Sequence, residues 1–292
     1  MKNSIYHSVD DVPVVRSAEK IIEAVLSKPE LTWAALIDTA FDYGQGETRL
    51  DFESAIDCYE FPELQGLNAV APCLIALFSG SDLRTQLTRL IRHCQGRPML
   101  SFVGTAQSLK DISARWRAMH MVAVVDEQEM LLRFADTRIL SYLPQVLTSP
   151  QWGAICGAVS DWTYFNRSGR LVSCDIPDAS HRPEKVSITK EQLANLLDKS
   201  HSDALMALIW ESMCDIVPID SPASERYRMI SNSYELAKKY DIKDNADVLA
   251  LAVAAYLTRG GSNVNQRLQS LLQQRAWPTG SLGDKIIDAE VI

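Results

Sequence analysis

Short apolar runs alternate with amphipathic segments through the first 174 residues of the chain. The runs at 33–38, 73–78 and 99–103 are each bounded by polar residues, glycine or proline, which predicts buried strands. From Ser81 and again from Leu109, apolar residues recur every three or four positions, which predicts two helices. Strands and helices in alternation indicate an α/β layer structure.

The rest of this first part follows the same pattern. Residues 121–125 and 130–134 predict a pair of strands joined by a polar turn, and 139–147 predicts a helix despite Pro144. Short strands are predicted at 154–159, 162–165 and 171–174, the last two joined by a turn at 166–169. We therefore expect an α/β N-terminal lobe with a short mixed sheet and flanking helices.

The pattern changes after a polar, proline-containing segment, and only helices are predicted beyond it. Thr189 and Gln192 form a capping-box signature. Further helices are predicted at 204–217, from Ser221, at 247–256 and at 263–274. We expect an α/β domain over 1–174, a linker over 175–187, an all-α C-terminal lobe over 188–279 and a loose tail over 280–292.

Composition and charge exclude several classes of protein. The chain has 292 residues, 47% of them hydrophobic, and a net charge of −8, so it can bury a core and lacks the basic character of nucleic-acid-binding proteins. Its longest apolar run, 248–257, is half of what a membrane-spanning helix needs. The first eleven residues lack the apolar core of a secretory signal. We expect a cytoplasmic protein that binds neither nucleic acid nor membrane.

The six cysteines are dispersed on apolar stretches, without C-x-x-C pairs. This arrangement favours reduced, buried thiols over a disulfide framework or a structural zinc site. The sequence also lacks the glycine-rich, metal-binding and nucleophile motifs of common enzyme classes. We expect no cofactor, no metal ion and no catalytic residue.

An enzyme remains the alternative. Cys73 or Cys94 paired in space with a distant histidine would give a cysteine nucleophile, and Glu127 with Glu129 would give two carboxylates for acid/base chemistry. A solvated turn explains the two glutamates better, because an exposed carboxylate lacks the burial that tunes a pKa. The alternative function is thus a small cytoplasmic hydrolase with an unrecognised cysteine- or carboxylate-based site.

Arg84, Arg89, Arg92 and Arg97 make the region of the helix after Ser81 locally basic. A solvated helix face is the simpler interpretation of these four arginines, and a surface for an acidic partner is the other.

The most unusual local feature is the sequence LRFADTRIL at 132–140, where two arginines bracket an aspartate as a strand passes into a helix. Asp136 or Thr137 would cap the helix while Arg133 or Arg138 pairs with Asp136. Such pairing would fix a strand–helix corner, and we favour this structural role over direct contact with a partner.

Three blocks together resemble one known family. They are WAALIDTA at 33–40, APCLIAL at 71–77 and LRFADTRIL at 132–140, and in this order they are similar to the successive motifs of the 4123 family of domains of unknown function (DUF4123). That family is found in type VI secretion adaptor proteins, or effector chaperones. The resemblance extends over about 33–165. Ala135 and Thr137 depart from it, since the family has an aromatic residue and a proline there.

The resemblance implies which residues matter and what the protein does. The family-motif positions, with a structural or partner-contact role, are Asp38, Pro72, Arg133, Asp136, Arg138 and Trp162. It also implies a non-catalytic adaptor that binds a cognate toxic effector in the producing cell and helps load it onto the VgrG spike protein. The expected partners are therefore the effector and VgrG.

Overall fold

A computed structural model of the chain describes residues 9–43, 55–64, 66–124, 128–157, 159–178 and 185–292. They form two compact units, Val9–Lys199 and Ser200–Ile292. The division falls inside one helix, α7 (Lys190–Met213), and so lies beyond the linker predicted at 175–187. Residues 179–184 of that predicted linker lie outside the described residues.

The first unit is built on a six-stranded sheet. Its strands are β1 (Thr32–Asp38), β2 (Ile56–Asp57), β3 (Pro72–Ala76), β4 (Leu100–Thr105), β7 (Val159–Phe165) and β8 (Leu171–Ser173). Their spatial order is β2-β3-β1-β4-β7-β8. Every pairing in it is antiparallel, which corrects the mixed sheet expected from the sequence. The helix between β3 and β4 carries the chain across β1, so those two strands run in the same direction without being neighbours.

Helices cover both faces of this sheet. On one face lie α1 (Val14–Ser27) and α2 (Asp82–His93), over a core that includes Ile37 and Phe102. On the other face lie α3 (Leu109–His120) and α6 (Ser149–Cys156), over a core that includes Leu36 and Trp162. Consecutive residues of a strand point to opposite faces, and β1 is buried on both from Trp33 to Asp38. This explains its continuous apolar run.

Several local predictions are confirmed with shorter bounds. The predicted strand pair around residue 126 is the two-stranded sheet of β5 (Met121–Ala123) and β6 (Glu129–Leu131). The helix predicted at 139–147 is two short helices, α4 (Thr137–Leu140) and α5 (Leu143–Val146), with Pro144 in the first turn of α5. Proline is tolerated there because the first-turn N–H groups of a helix have no intrahelical acceptor.

The strand predicted at 154–159 is wrong. Residues up to Cys156 form α6, which begins with a capping box between Thr148 and Gln151. Burial of the helix end gives a short apolar run that resembles a strand, and Val159 then starts β7. Helix α1 was not predicted.

The second unit is all helical, as expected. After α7 come α8 (Ala223–Lys239), α9 (Asn245–Leu257), α10 (Gln266–Gln274) and α11 (Leu282–Asp288). Helix α9 contacts both α8 and α11. The tail predicted as loose at 280–292 contains α11, whose Leu282 and Ile286 are buried in the core of this unit. Among the described helices, none has both the length and the apolar character needed to cross a membrane.

The carboxylate of Asp247 on α9 explains why this tail packs. It is buried and accepts the indole N–H of Trp277 at 3.1 Å, the N–H of Gly280 at 3.1 Å and the N–H of Leu282 at 2.9 Å. One side chain therefore holds the segment that leads into α11. A single aspartate inside an apolar helix is the sequence signal for this contact.

Candidate functional site

Five of the six family-motif residues meet at one corner of the first unit. Asp38 ends β1 and lies opposite Pro72, the first residue of β3, in the strand register. Arg133 and Asp136 come from the segment that joins β6 to α4, and Arg138 is in the first turn of α4. We call this group, with its contacts described below, the arginine–aspartate corner.

Arg133 and Asp38 form the central ion pair of the corner. The Arg133 Nη2 donates to Asp38 Oδ2 at 2.7 Å, and Asp38 Oδ1 accepts the N–H of Ala40 at 3.2 Å, which caps the short 3₁₀ turn Thr39–Phe41. The carboxylate is buried, whereas the Arg133 side chain is 37% exposed. Burial raises the pKa of Asp38 to about 6, against the opposing effect of Arg133.

Asp136 and Arg138 form a second pair and cap a helix. Asp136 Oδ1 accepts the N–H of Arg138 at 3.0 Å, at the start of α4. The Arg138 guanidinium binds the same carboxylate through two nitrogens, Nε at 3.1 Å and Nη2 at 2.8 Å. Of the two predicted capping residues, Asp136 is the cap. Of the two predicted partners, Arg138 is the one paired with it, because Arg133 reaches Asp38 instead.

Phe41 and Asp42 also belong to the corner, although neither residue stands out in the sequence pattern. The guanidinium carbons of Arg133 and Arg138 each lie 5.3 Å from the centre of the Phe41 ring, within cation–π range. Asp42 binds Arg97 Nη1 at 2.5 Å and His93 Nε2 at 2.9 Å. Arg97 is therefore buried and paired, which corrects its assignment to a solvated basic face.

Main-chain hydrogen bonds fasten the corner to its surroundings. The N–H of Thr137 donates to the carbonyl of Pro98 at 2.9 Å, and the N–H of Asp38 donates to the carbonyl of Met99 at 2.9 Å. The Thr39 hydroxyl donates to the carbonyl of Ala71, next to Pro72, at 2.6 Å. The corner thus joins segments from four separate parts of the sequence.

Trp162, the sixth family-motif residue, lies in the aromatic core behind the corner. Its indole N–H donates to Ser101 Oγ at 3.1 Å, and its ring lies 6.1 Å from Phe134. Trp116 and Trp152 pack against it at 5.5 and 5.8 Å between ring centres. Phe134 follows Arg133 directly, so this core supports the corner from inside.

His120 is buried in the same aromatic core. It stacks on Phe134 at 4.5 Å and meets the edge of Tyr59 at 4.8 Å. Its side chain is fully buried. Burial lowers the pKa of His120 to about 3, so the imidazole is neutral.

The groups suggested for enzyme chemistry are placed as follows. Cys73 and Cys94 are buried, and burial raises the pKa of the Cys94 thiol, which favours its unreactive protonated form. Glu129 forms an exposed ion pair with Lys185, and Glu127 lies outside the described residues. Across the part of the chain that the structure describes, no three metal-ligating side chains are grouped to hold an ion.

In the comparison with known proteins, a family model matches part of the chain. The model of the family described as Domain of unknown function (DUF4123) matches residues 33–154. The matched residues contain Asp38, Pro72, Arg133, Asp136 and Arg138 of the corner and end before Trp162. Neither the curated proteins nor the solved structures contain a match to this chain.

Proposed function

We propose that this chain is a non-catalytic adaptor of a type VI secretion system, which binds a cognate effector in the cytoplasm and helps load it onto the VgrG spike. The observation that carries this proposal is the DUF4123 match, together with the convergence of the resembling motifs on one corner. The three motifs, at 33–40, 71–77 and 132–140, are the part of the chain that resembles effector chaperones.

The chemistry of the corner is consistent with a scaffold. Three arginines face three aspartates, in the pairs Arg133–Asp38, Arg138–Asp136 and Arg97–Asp42. Each carboxylate is thereby neutralised by a guanidinium of the same chain, through charge-assisted hydrogen bonds. Such ion pairs hold chain segments in place, and the exposed surfaces of these segments can then contact a partner.

The division into two units fits a protein with two partners. Each unit has a hydrophobic core of its own, so each can present a surface of its own. An adaptor must hold the effector and VgrG with moderate affinity and then release them.

A secretion assay tests the proposal. Deleting the coding sequence of this chain should abolish export of the effector encoded beside it, while effectors carried by other spikes are still exported. Expression of the wild-type chain in trans should restore export, and an Asp38→Ala chain should restore less because its corner is weakened. Undiminished export of the neighbouring effector in the deletion strain would contradict the proposal.

The second candidate function is a hydrolase with a carboxylate-based site, and the raised pKa of Asp38 favours it, because perturbed carboxyl groups are common in active sites. Against it, both Asp38 oxygens already accept hydrogen bonds from the chain. A hydrolase would show an activity on ester or peptide substrates that is lost in Asp38→Asn at unchanged fold.

A further inference from the structure

Helix α1 exposes an apolar stripe on the side that borders α2. Val15 and Leu26 are 60% and 69% exposed, and Ile22 between them is only partly buried. Their spacings of seven and four residues place all three on one face of the helix. Exposed apolar side chains in a line, unlike scattered ones, are typical of a binding surface.

Contacts between α1 and α2 show where this stripe lies. Glu19, on the same face as the stripe, pairs with Arg84 of α2 at 3.1 Å. Beyond the other end of α2, Gln95 exchanges two 2.8 Å hydrogen bonds with the main chain of Val12. The start of α1 therefore lies near the end of α2, and the two helices are antiparallel neighbours.

The adjoining face of α2 is basic. Arg84, Thr88 and Arg92 are spaced by four residues and so share this face. Arg92 is exposed and has no ion-pair partner in the described part of the chain. Basic side chains thus border the apolar stripe, in a chain whose net charge is −8.

We propose that this α1–α2 surface, formed by Val15, Ile22, Leu26, Arg84, Thr88 and Arg92, binds an acidic amphipathic segment of a protein partner. Apolar residues of that segment cover the stripe on α1, and its carboxylates pair with the arginines on α2. The inference deepens the adaptor function proposed above and rests on it. Complementary charge selects the partner and orients the segment.

The net charge of the chain also favours an acidic protein segment over a membrane or a nucleic acid as the partner. A membrane or nucleic acid carries a dense array of negative charges, which a chain of net charge −8 meets with overall repulsion. A short acidic segment contacts only the local surface, where α2 contributes Arg92 and also Arg84, which pairs with Glu19 of α1. The local arginines are therefore sufficient for a peptide and too few for an extended polyanion.

The test uses the full chain and the effector and VgrG encoded beside it. Fluorescent 20-residue peptides tiled over both partners are titrated with the wild type, with Arg92→Glu and with Leu26→Ser. Lys20→Glu, on the opposite side of α1, is the control for charge, and Ile287→Ser, exposed on α11, is the control for apolar loss. All four substitutions are at exposed positions, and thermal unfolding checks that each variant folds.

We expect at least one acidic peptide with apolar residues at helical spacing to bind the wild type. Its affinity should fall about tenfold in Arg92→Glu and in Leu26→Ser, stay unchanged in both controls, and weaken with added salt. If the wild type and all variants of this chain bind the intact effector or VgrG equally well, this inference is overturned while the adaptor function stands. Failure of the wild type to bind either partner would overturn both.

The same variants are tested for sedimentation with vesicles of phosphatidylserine and phosphatidylcholine. The proposal predicts no sedimentation of the wild type. Vesicle binding that depends on Arg92, without any bound peptide, would overturn the proposal in favour of a membrane.

Discussion

The guanidinium of Arg133 and the carboxylate of Asp38 meet at 2.7 Å across 95 positions of sequence. The aspartate is buried, and within the described part of the chain the arginine is the cationic group at hydrogen-bond distance from it. A buried carboxylate without such a partner is costly. This pair therefore connects the end of β1 to the stretch of chain that also contains Asp136 and Arg138.

Removing Arg133 should destabilise the first unit. We expect Arg133→Ala to lower the free energy of unfolding by about 2 kcal/mol at neutral pH, because the buried Asp38 then either stays ionised without its partner or must take up a proton. Arg16→Ala, at an exposed position of α1, should change it by less than about 0.5 kcal/mol. Urea denaturation measures both.

The effect of Arg133→Ala should depend on pH. Asp38 has its pKa raised from 3.8 to about 6, so between these values the folded chain keeps a proton that the unfolded chain has released, and stability falls as pH rises. Without Arg133 the folded-state pKa rises further and the fall continues to higher pH. The variant should lose more stability at pH 8 than at pH 5, and an equal loss at both would contradict this account.

Asp136 has two functions that substitution can separate. Asp136→Ala removes the cap of α4 and the partner of Arg138, and should cost about 2 kcal/mol. Asp136→Asn keeps an oxygen that can accept the N–H of Arg138 but loses the charge, so it should cost about half as much. If the two variants are equally stable, the cap contributes nothing, and if Asp136→Asn is as stable as the wild type, the ion pair with Arg138 contributes nothing.

His120 should make the first unit sensitive to acid. Its folded-state pKa is about 3 against 6.5 in the unfolded chain, so below pH 6.5 only the unfolded chain takes up this proton. Each pH unit between 6.5 and 3 should therefore cost about 1.4 kcal/mol of stability. His120→Phe keeps the stack on Phe134 and cannot titrate, so its stability relative to the wild type should increase as pH falls. A constant difference between pH 7 and pH 4.5 would refute the assignment.

Asp247 should hold the C-terminal segment of the second unit. Asp247→Ala removes the acceptor of three hydrogen bonds, and we expect a loss of about 3 kcal/mol. Amide hydrogen exchange at Gly280 and Leu282 should accelerate more than exchange in α8. Asp284→Ala, an exposed position of α11, is the control and should leave both amides protected.

Local patterns predicted much of the fold. The apolar runs of β1 and β3 and the stripe of α3 are visible in sequence because burial repeats with the period of each element. The mixed sheet was wrong because alternation of strands and helices does not say which strands are neighbours. Because α2 crosses over β1, β3 and β4 lie on either side of β1, and each pairs with it in antiparallel orientation.

The sequence predicted most of the residues of the arginine–aspartate corner, but only some of the contacts between them. The order of the three motifs indicated Asp38, Arg133, Asp136 and Arg138, and of the two partners that the sequence left open for Asp136, the structure shows Arg138. The pair Arg133–Asp38 and the Phe41 contact depend on packing between distant segments, which spacing does not reveal. His120 lies four residues after Trp116 on the buried stripe of α3, but its contacts with Phe134 and Tyr59 come from distant segments.

The most direct measurement of the central claim is complex formation from purified components. The chain, the effector encoded beside it and VgrG are mixed and separated by size-exclusion chromatography with light scattering. The adaptor account predicts one complex that contains all three proteins, and little binding of the effector to VgrG when the chain is left out. Elution of the chain alone in the presence of each partner would contradict it.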